Sequence, residues 1–135
     1  MKIMVTDGQG GRIGSMLCAE IRSALPTAEI IAVGTNSAAA AAMLKAGADA
    51  AATGENPVIY NAPRVDVITG PSGIILPNAL LGEVTPAMAM AIGTSDAYKV
   101  LIPFGKCGLC MAGTPELSLS EYIQAAVKKI LSLAK

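Results

Sequence analysis

The sequence predicts an α/β fold of three layers, in which helices cover both faces of a doubly wound, mainly parallel sheet of five to six strands. The 135 residues are 53% hydrophobic but only 3% aromatic, so the core is built from aliphatic side chains. Such a composition suits parallel strands, which are apolar on both faces. Short β-rich runs alternate with helical patterns, and a glycine-rich turn joins the first strand to the first helix. The length supports a single domain over residues 1–135.

The first half of the chain alternates strands with helices. Its predicted strands cover residues 3–6, 29–34 and 48–52. The first helix follows the glycine turn and ends at Pro26. The second helix covers residues 38–46, with Ser37 as its N-cap and Gly47 as its C-terminal cap. Because each crossover is long enough to join parallel neighbours, this half is typical of a Rossmann-like, dinucleotide-binding fold.

The second half is less regular. Asn56 is the predicted N-cap of a short helix that ends at residue 62, and a further helix runs from Thr85 to Gly93. The remaining predicted strands cover residues 65–69, 99–103 and, as a short sixth edge strand, 109–112. Pro77 leaves residues 74–82 ambiguous. A capping box of Ser118 and Glu121 starts the last helix, whose predicted inward side chains are Leu119, Ile123, Val127, Ile130, Leu131 and Ala134.

The turn after the first strand has the pattern of a phosphate-binding loop. Its residues are Asp7, Gly8, Gln9, Gly10, Gly11, Arg12, Ile13 and Gly14. Gly8 permits a tight turn, and Gly14 lets the helix pack closely on the sheet. Gly10 and Gly11 let a ligand phosphate approach backbone N–H groups at the start of a helix, where the partial charge is positive. The alternative is a tight turn without a ligand.

Three more segments follow predicted strands and are expected at the same carboxyl edge of the sheet, where open α/β folds bind their ligands. They comprise Thr35, Asn36 and Ser37; Glu55 and Asn56; and Gly70, Pro71, Ser72 and Gly73. Glu55 is a candidate general base if it is buried, and Asp7 is a candidate for holding a ribose or a metal. Capping of helices or turns is the simpler interpretation of both carboxylates. The sequence identifies no catalytic residue and no complete metal site within one chain.

Two resemblances to known families extend this interpretation. The loop from Gly8 to Gly14 resembles the phosphate loop of dihydrodipicolinate reductases and is similar to that of extended short-chain dehydrogenases. It implies NAD(P) as the ligand, with Arg12 near an adenosine phosphate. Over nearly its full length the chain resembles a small bacterial family described only as a domain of unknown function. This resemblance implies a Rossmann-like fold but does not indicate an activity. The matching segments are residues 7–11, 32–37, 47–49, 53–56 and 70–73.

The chain also departs from those enzymes. Dinucleotide folds carry an Asp or Glu for the ribose hydroxyls at the end of the second strand, where this chain has Gly34 and Thr35. An NADP phosphate held by residues 35–37 is one explanation, and a smaller nucleotide or another phosphate ligand is a second. The Tyr-x-x-x-Lys pair of the dehydrogenases is missing, as are the His-rich segment and the substrate domain of the reductases.

Cys107 and Cys110 form the other candidate site. Two thiols at this spacing form a redox disulfide or half of a zinc site, which a second copy of the chain would complete. The alternative is that both cysteines are small apolar side chains without a redox or metal-binding role. The odd number of cysteines, without an export signal, indicates reduced thiols and a cytoplasmic location.

Charge and composition narrow the partners. Ten basic and ten acidic residues balance, and no basic run indicates a nucleic-acid surface. The longest apolar run, residues 38–44, is far shorter than the roughly 20 residues that a membrane-spanning helix needs. High hydrophobicity with little charge predicts a homodimer that covers apolar surface.

Three functional hypotheses follow. The first is a module that binds a nucleotide, of NAD(P) type or another, without chemistry. The second is an NAD(P)-dependent oxidoreductase whose pocket a homodimer partner completes, and the third is a cysteine-based metal or redox protein. The lack of histidine and of a linked acid–base pair favours the first. Exchange of Gly11 for valine is expected to abolish binding and to leave the fold intact.

Overall fold

The computed structural model describes residues 1–103 and 108–134 as five parallel strands and five helices. The strands are β1 (Lys2–Asp7), β2 (Glu29–Gly34), β3 (Ala50–Thr53), β4 (Val67–Pro71) and β5 (Tyr98–Ile102). The helices are α1 (Arg12–Ala24), α2 (Ser37–Ala46), α3 (Glu55–Asn61), α4 (Pro86–Thr94) and α5 (Leu119–Leu133), with short 3₁₀ turns at Ala62–Arg64 and Ser72–Ile75. The sheet order is β3-β2-β1-β4-β5. The predicted three-layer, Rossmann-like α/β fold is confirmed.

Each face of the sheet has its own apolar core. Ile3 and Val5 of the central strand β1 point to a core shared with α1, α2 and α5. Met4, between them, points to a second core shared with α3, α4 and the 3₁₀ turn after β4. The inner strands β1, β2 and β4 therefore bury both faces, as aliphatic parallel strands do. Among the described helices, none has the length and apolarity to cross a membrane.

Some predicted boundaries are wrong for local reasons. The N-cap of α2 is Asn36 rather than Ser37, because the Asn36 side chain accepts a hydrogen bond of 2.8 Å from the Ala39 amide. Gly54 rather than Asn56 precedes α3, which starts at Glu55. Residues 109–112 form no strand: they are exposed, and no described strand pairs with them.

The last helix has the predicted capping box of Ser118 and Glu121. Its buried positions differ slightly from the prediction. Ala126 lies in the core, whereas Leu131 is half-buried and Ala134 is exposed. The fully buried positions therefore end at Ile130, and Leu133 in the last turn still packs against the core as a half-buried side chain.

Candidate functional site

The carboxyl edge of the sheet brings the predicted segments after β1 and β2 together. The Thr35 amide donates a 2.9 Å hydrogen bond to the Asp7 carbonyl, and the Gly54 amide donates one of the same length to the Gly34 carbonyl. The direction of the strand order reverses between β1 and β4, since β2 and β3 lie to one side of β1 and β4 and β5 to the other. Open α/β folds bind their ligands in the crevice at such a switch point.

Asp7 caps α1 from the end of β1. Its Oδ1 accepts a hydrogen bond of 2.8 Å from the Gly8 amide, and its Oδ2 accepts one of 2.7 Å from the Gly14 amide. The side chain is buried, and burial raises the pKa of Asp7 against the opposing effect of the two amides. Both carboxylate oxygens are thus engaged within the protein. This geometry favours the capping role over contact with a ribose or a metal.

Two glycines of the loop are explained by internal packing. A Cβ at Gly8 would collide with Thr35 Oγ1, and one at Gly14 would lie 2.5 Å from Met43 Sδ and 2.8 Å from the Asp7 Cβ. The close packing of α1 expected from Gly14 is therefore present, and α2 contributes to it. Both positions require glycine whether or not a ligand binds.

Gly11 is needed for the fold in two ways. Its φ of 72° is in the left-handed region, which glycine adopts most easily. A Cβ there would also lie 2.8 Å from the backbone Cα of Ala39 in α2. The expectation that valine at this position would leave the fold intact is wrong, because both the backbone and the packing oppose it.

Gly10 is different from the other three glycines of the loop. It is exposed, its φ lies outside the left-handed region, and no atom of the described residues stands within 4 Å of the position that a Cβ would occupy. Within residues 1–103 and 108–134, the amides of Gly10 and Arg12 donate to no acceptor. Among the described residues, the space beside this part of the loop is therefore open, and these two amides have no hydrogen-bond acceptor.

Glu83, which the sequence analysis did not identify, connects the loops after β1 and β2. Its Oε1 accepts hydrogen bonds from the Gln9 amide at 2.8 Å, Thr35 Oγ1 at 2.6 Å and Asn36 Nδ2 at 2.8 Å. These bonds, with the one from Thr35 largest, lower the pKa of Glu83. Asn36 Nδ2 also donates to the Gln9 carbonyl at 2.9 Å. Glu83 lies in the connection between β4 and α4. Its place after a strand is the one sequence signal that could have placed it at the carboxyl edge of the sheet.

The segment that carries Glu83 contacts the loops that follow β1 and β4. It consists of residues 76–84, which are closed by hydrogen bonds from the Asn78 amide to the Val84 carbonyl and from the Val84 amide to the Ala79 carbonyl. Leu80 lies against Gly8 on one side and Gly73 on the other. This segment includes most of the ambiguous stretch, and it contains three residues other than glycine with positive φ, namely Asn78, Leu80 and Leu81.

The remaining predicted site residues divide between buried and exposed positions. Residues 70–73 are buried, and Gly70 and Pro71 belong to β4 rather than to a turn. Gly70 has no room for a Cβ, which would collide with the Thr6 carbonyl of the neighbouring strand. Glu55 and Asn56 are exposed at the start of α3, so the burial required of a general base is absent. Arg12 and Ser37 are exposed, and Ile13 packs against the core.

The cysteine hypothesis is tested only in part, because Cys107 lies outside the described residues. Cys110 is exposed. In the part of the chain that the structure describes, no three side chains of His, Cys, Asp or Glu cluster as metal ligands. Cys18 is buried in the core, where burial raises the pKa of its thiol to about 12.

Comparison with solved structures finds a similar fold in a dodecameric FMN-dependent UbiX-like decarboxylase from Escherichia coli O157:H7. The TM-score is 0.52 and the sequence identity 16%, over 99% of this chain and 94% of that chain. At this identity the likeness shows the fold alone.

Comparison with curated protein sequences gives no significant match. These findings do not support a specific relationship to dihydrodipicolinate reductases or short-chain dehydrogenases, and that likeness is limited to the loop. A family model does match residues 2–135, as the resemblance to a family of unknown function predicted. The chain therefore belongs to the family described as Domain of unknown function (DUF3842).

Proposed function

We propose that this chain is a module that binds a nucleotide of NAD(P) or flavin type at the carboxyl edge of its sheet. The observation that carries the proposal is the open face of Gly10. The other glycines of the loop are required by packing or backbone conformation, whereas nothing in the described protein requires a glycine here. A missing side chain beside unpaired amides allows a phosphate to approach the backbone.

The backbone amides of the loop that have no acceptor within the described protein define where the phosphate would lie. Asp7 and Glu83 already accept hydrogen bonds from the amides of Gly8, Gln9 and Gly14. The amides of Gly10 and Arg12 are left at the N-terminus of α1, where the helix dipole favours an anion. The exposed Arg12 side chain supplies a positive charge at the same place. The proposed phosphate site is therefore at the outer rim of the loop.

The fold and its structural neighbour support the proposed class of ligand. Rossmann-like sheets bind dinucleotides at the switch point, and the similar decarboxylase is FMN-dependent. We favour binding without chemistry because Asp7 is committed to capping α1 and Glu55 is exposed. No linked acid–base pair is present among the described residues of this edge.

A thermal-shift screen with NAD, NADP, FMN, AMP, ATP and coenzyme A tests the proposal. A ligand at 100 times its Kd stabilises the fold by about 2.7 kcal/mol, which raises the Tm of a domain of this size by roughly 10 °C. We expect at least one of these ligands to raise the Tm. No shift with any of them would contradict the proposal.

A matched pair of variants then locates the site. Gly10→Val is expected to keep the Tm of the free protein and to abolish the shift. Gly93→Val is the control, because no described residue has an atom within 4 Å of the Cβ position of Gly93, which lies in the last turn of α4. An unchanged shift in Gly10→Val would place the ligand elsewhere.

We also propose that the chain forms a homodimer. Exposed apolar side chains occur on the adjacent helices α3 and α4, where Ile59, Tyr60 and Met90 have 43%, 57% and 66% of their surface exposed. Covering such side chains is favourable. Light scattering coupled to size-exclusion chromatography is expected to give twice the chain mass of 13.6 kDa. A monomer mass at micromolar concentration would contradict this.

A further inference from the structure

The end of β2 lacks an acidic residue in the sequence but has one in the structure. Dinucleotide folds use an Asp or Glu at this place to accept hydrogen bonds from ribose hydroxyls. Here the strand ends at Gly34, and the next two residues, Thr35 and Asn36, both donate to Glu83. The carboxylate therefore reaches the end of β2 from the segment after β4.

We propose that Glu83 is the ribose-binding carboxylate of this site, so that the protein selects nucleotides with a free 2′-hydroxyl over those with a 2′-phosphate. This inference rests on the proposed nucleotide-binding function and names the chemical class of its ligand.

The hydrogen bonds of Glu83 leave one oxygen available. Oε1 accepts all three bonds from the loops after β1 and β2, which fix the position of the carboxylate. Oε2 has no hydrogen-bond partner among the described residues, and the side chain is only partly buried. An ionised carboxylate is purely an acceptor. One anchored oxygen and one open oxygen suit the binding of hydroxyl donors.

The same geometry disfavours a 2′-phosphate. The side-chain donors that an NADP phosphate would use, Thr35 Oγ1 and Asn36 Nδ2, are engaged by Glu83. A phosphate at this place would meet a negative charge and would have to compete for those donors. Like charges in contact are repulsive, and the repulsion is reduced but not removed by solvent. The interpretation of residues 35–37 as an NADP phosphate site therefore loses two of its three side-chain donors, and only the exposed Ser37 is not engaged by Glu83.

A different role for Glu83 is that it occupies the ligand site itself and must be displaced. The two roles predict opposite effects of its removal. If Glu83 binds the ribose, its removal weakens nucleotide binding. If Glu83 occupies the ligand site, its removal strengthens nucleotide binding. Glu83→Gln separates them, because glutamine retains an oxygen for the three anchoring bonds and replaces the open acceptor by a donor.

Isothermal titration of NAD and NADP into the wild type, Glu83→Gln and Glu29→Gln tests the proposal. Glu29→Gln is the control for loss of one charge, since Glu29 is exposed at the opposite end of β2. We expect the wild type to bind NAD at least tenfold more tightly than NADP. Glu83→Gln should weaken NAD binding about tenfold without weakening NADP binding, and Glu29→Gln should change neither. Thermal unfolding of Glu83→Gln checks that the variant is folded.

The possible results separate this inference from the function on which it rests. Equal affinity for NAD and NADP, with both lost in Gly10→Val, would keep the proposed function and overturn the role of Glu83. Tighter binding of both ligands by Glu83→Gln would show that Glu83 is an internal occupant. Binding of neither dinucleotide by the wild type would overturn the ribose role. Nucleotide binding as such would then depend on the results with FMN, AMP, ATP and coenzyme A.

Discussion

Alanine at Gly10 and at Gly11 should have very different effects on stability, although the two positions are adjacent. At Gly11 an alanine would adopt the left-handed conformation at φ 72°, which costs about 1–2 kcal/mol. Its Cβ would also lie 2.8 Å from Ala39 Cα in α2. Crowding of this kind in a packed region costs about 1–3 kcal/mol. The two effects together predict a loss of about 2–5 kcal/mol, whereas at Gly10 neither applies.

Urea denaturation of the two variants, followed by circular dichroism, measures this difference. Gly10→Ala is expected to have a free energy of unfolding within about 0.5 kcal/mol of the wild type. Gly11→Ala should lower the midpoint clearly, and its Tm should fall by roughly 7–18 °C. Equal stabilities of the two variants would refute the assignment of Gly11 to packing and Gly10 to an open face.

Three further predictions concern charges and thiols. The pKa of Glu83 in the folded protein lies below its ordinary value of 4.5, so the ionised carboxylate stabilises the fold above that pH. This stabilisation is lost as the pH falls through the folded pKa. Urea titrations between pH 7 and pH 3.5 should therefore show a smaller loss of stability for Glu83→Gln than for the wild type. Cys18 should resist an alkylating reagent until the protein unfolds, whereas the exposed Cys110 reacts at once, as peptide mass spectrometry can show. Arg22→Ala should cost about 1–3 kcal/mol of stability without changing nucleotide affinity, because Arg22 donates to three backbone carbonyls and to Asp49 at the amino edge of the sheet.

The part of the fold that local patterns determine could be predicted from the sequence. The strand, the glycine turn and the helix from residues 2 to 24 depend on hydrophobic periodicity and on Pro26, and they form as expected. The Ser118 capping box depends on residues three apart and is present. In contrast, the β-rich residues 109–112 have no strand beside them among the described residues, and propensity without a partner does not make a strand.

The candidate site could be predicted less fully, because its decisive contacts are long-range. Glu83 reaches Gln9 across 74 positions of the sequence, and no local pattern indicates that pairing. Leu80 and Leu81 have positive φ, which the local preference of leucine does not predict. Leu80 also packs against Gly8, which is distant in the sequence. The roles of the individual glycines also depended on neighbours, such as Ala39, that come close only in the folded chain.

The most direct test of nucleotide binding at the loop is the chemical-shift change of individual backbone amides when the ligand is added. Amide spectra of the ¹⁵N-labelled protein would be recorded during titration with the ligand that raises the Tm most. The largest changes are expected at Gly10 and Arg12, whose amides donate to no acceptor among the described residues. Changes that cluster away from the carboxyl edge of the sheet, with these two amides unaffected, would contradict the proposed site.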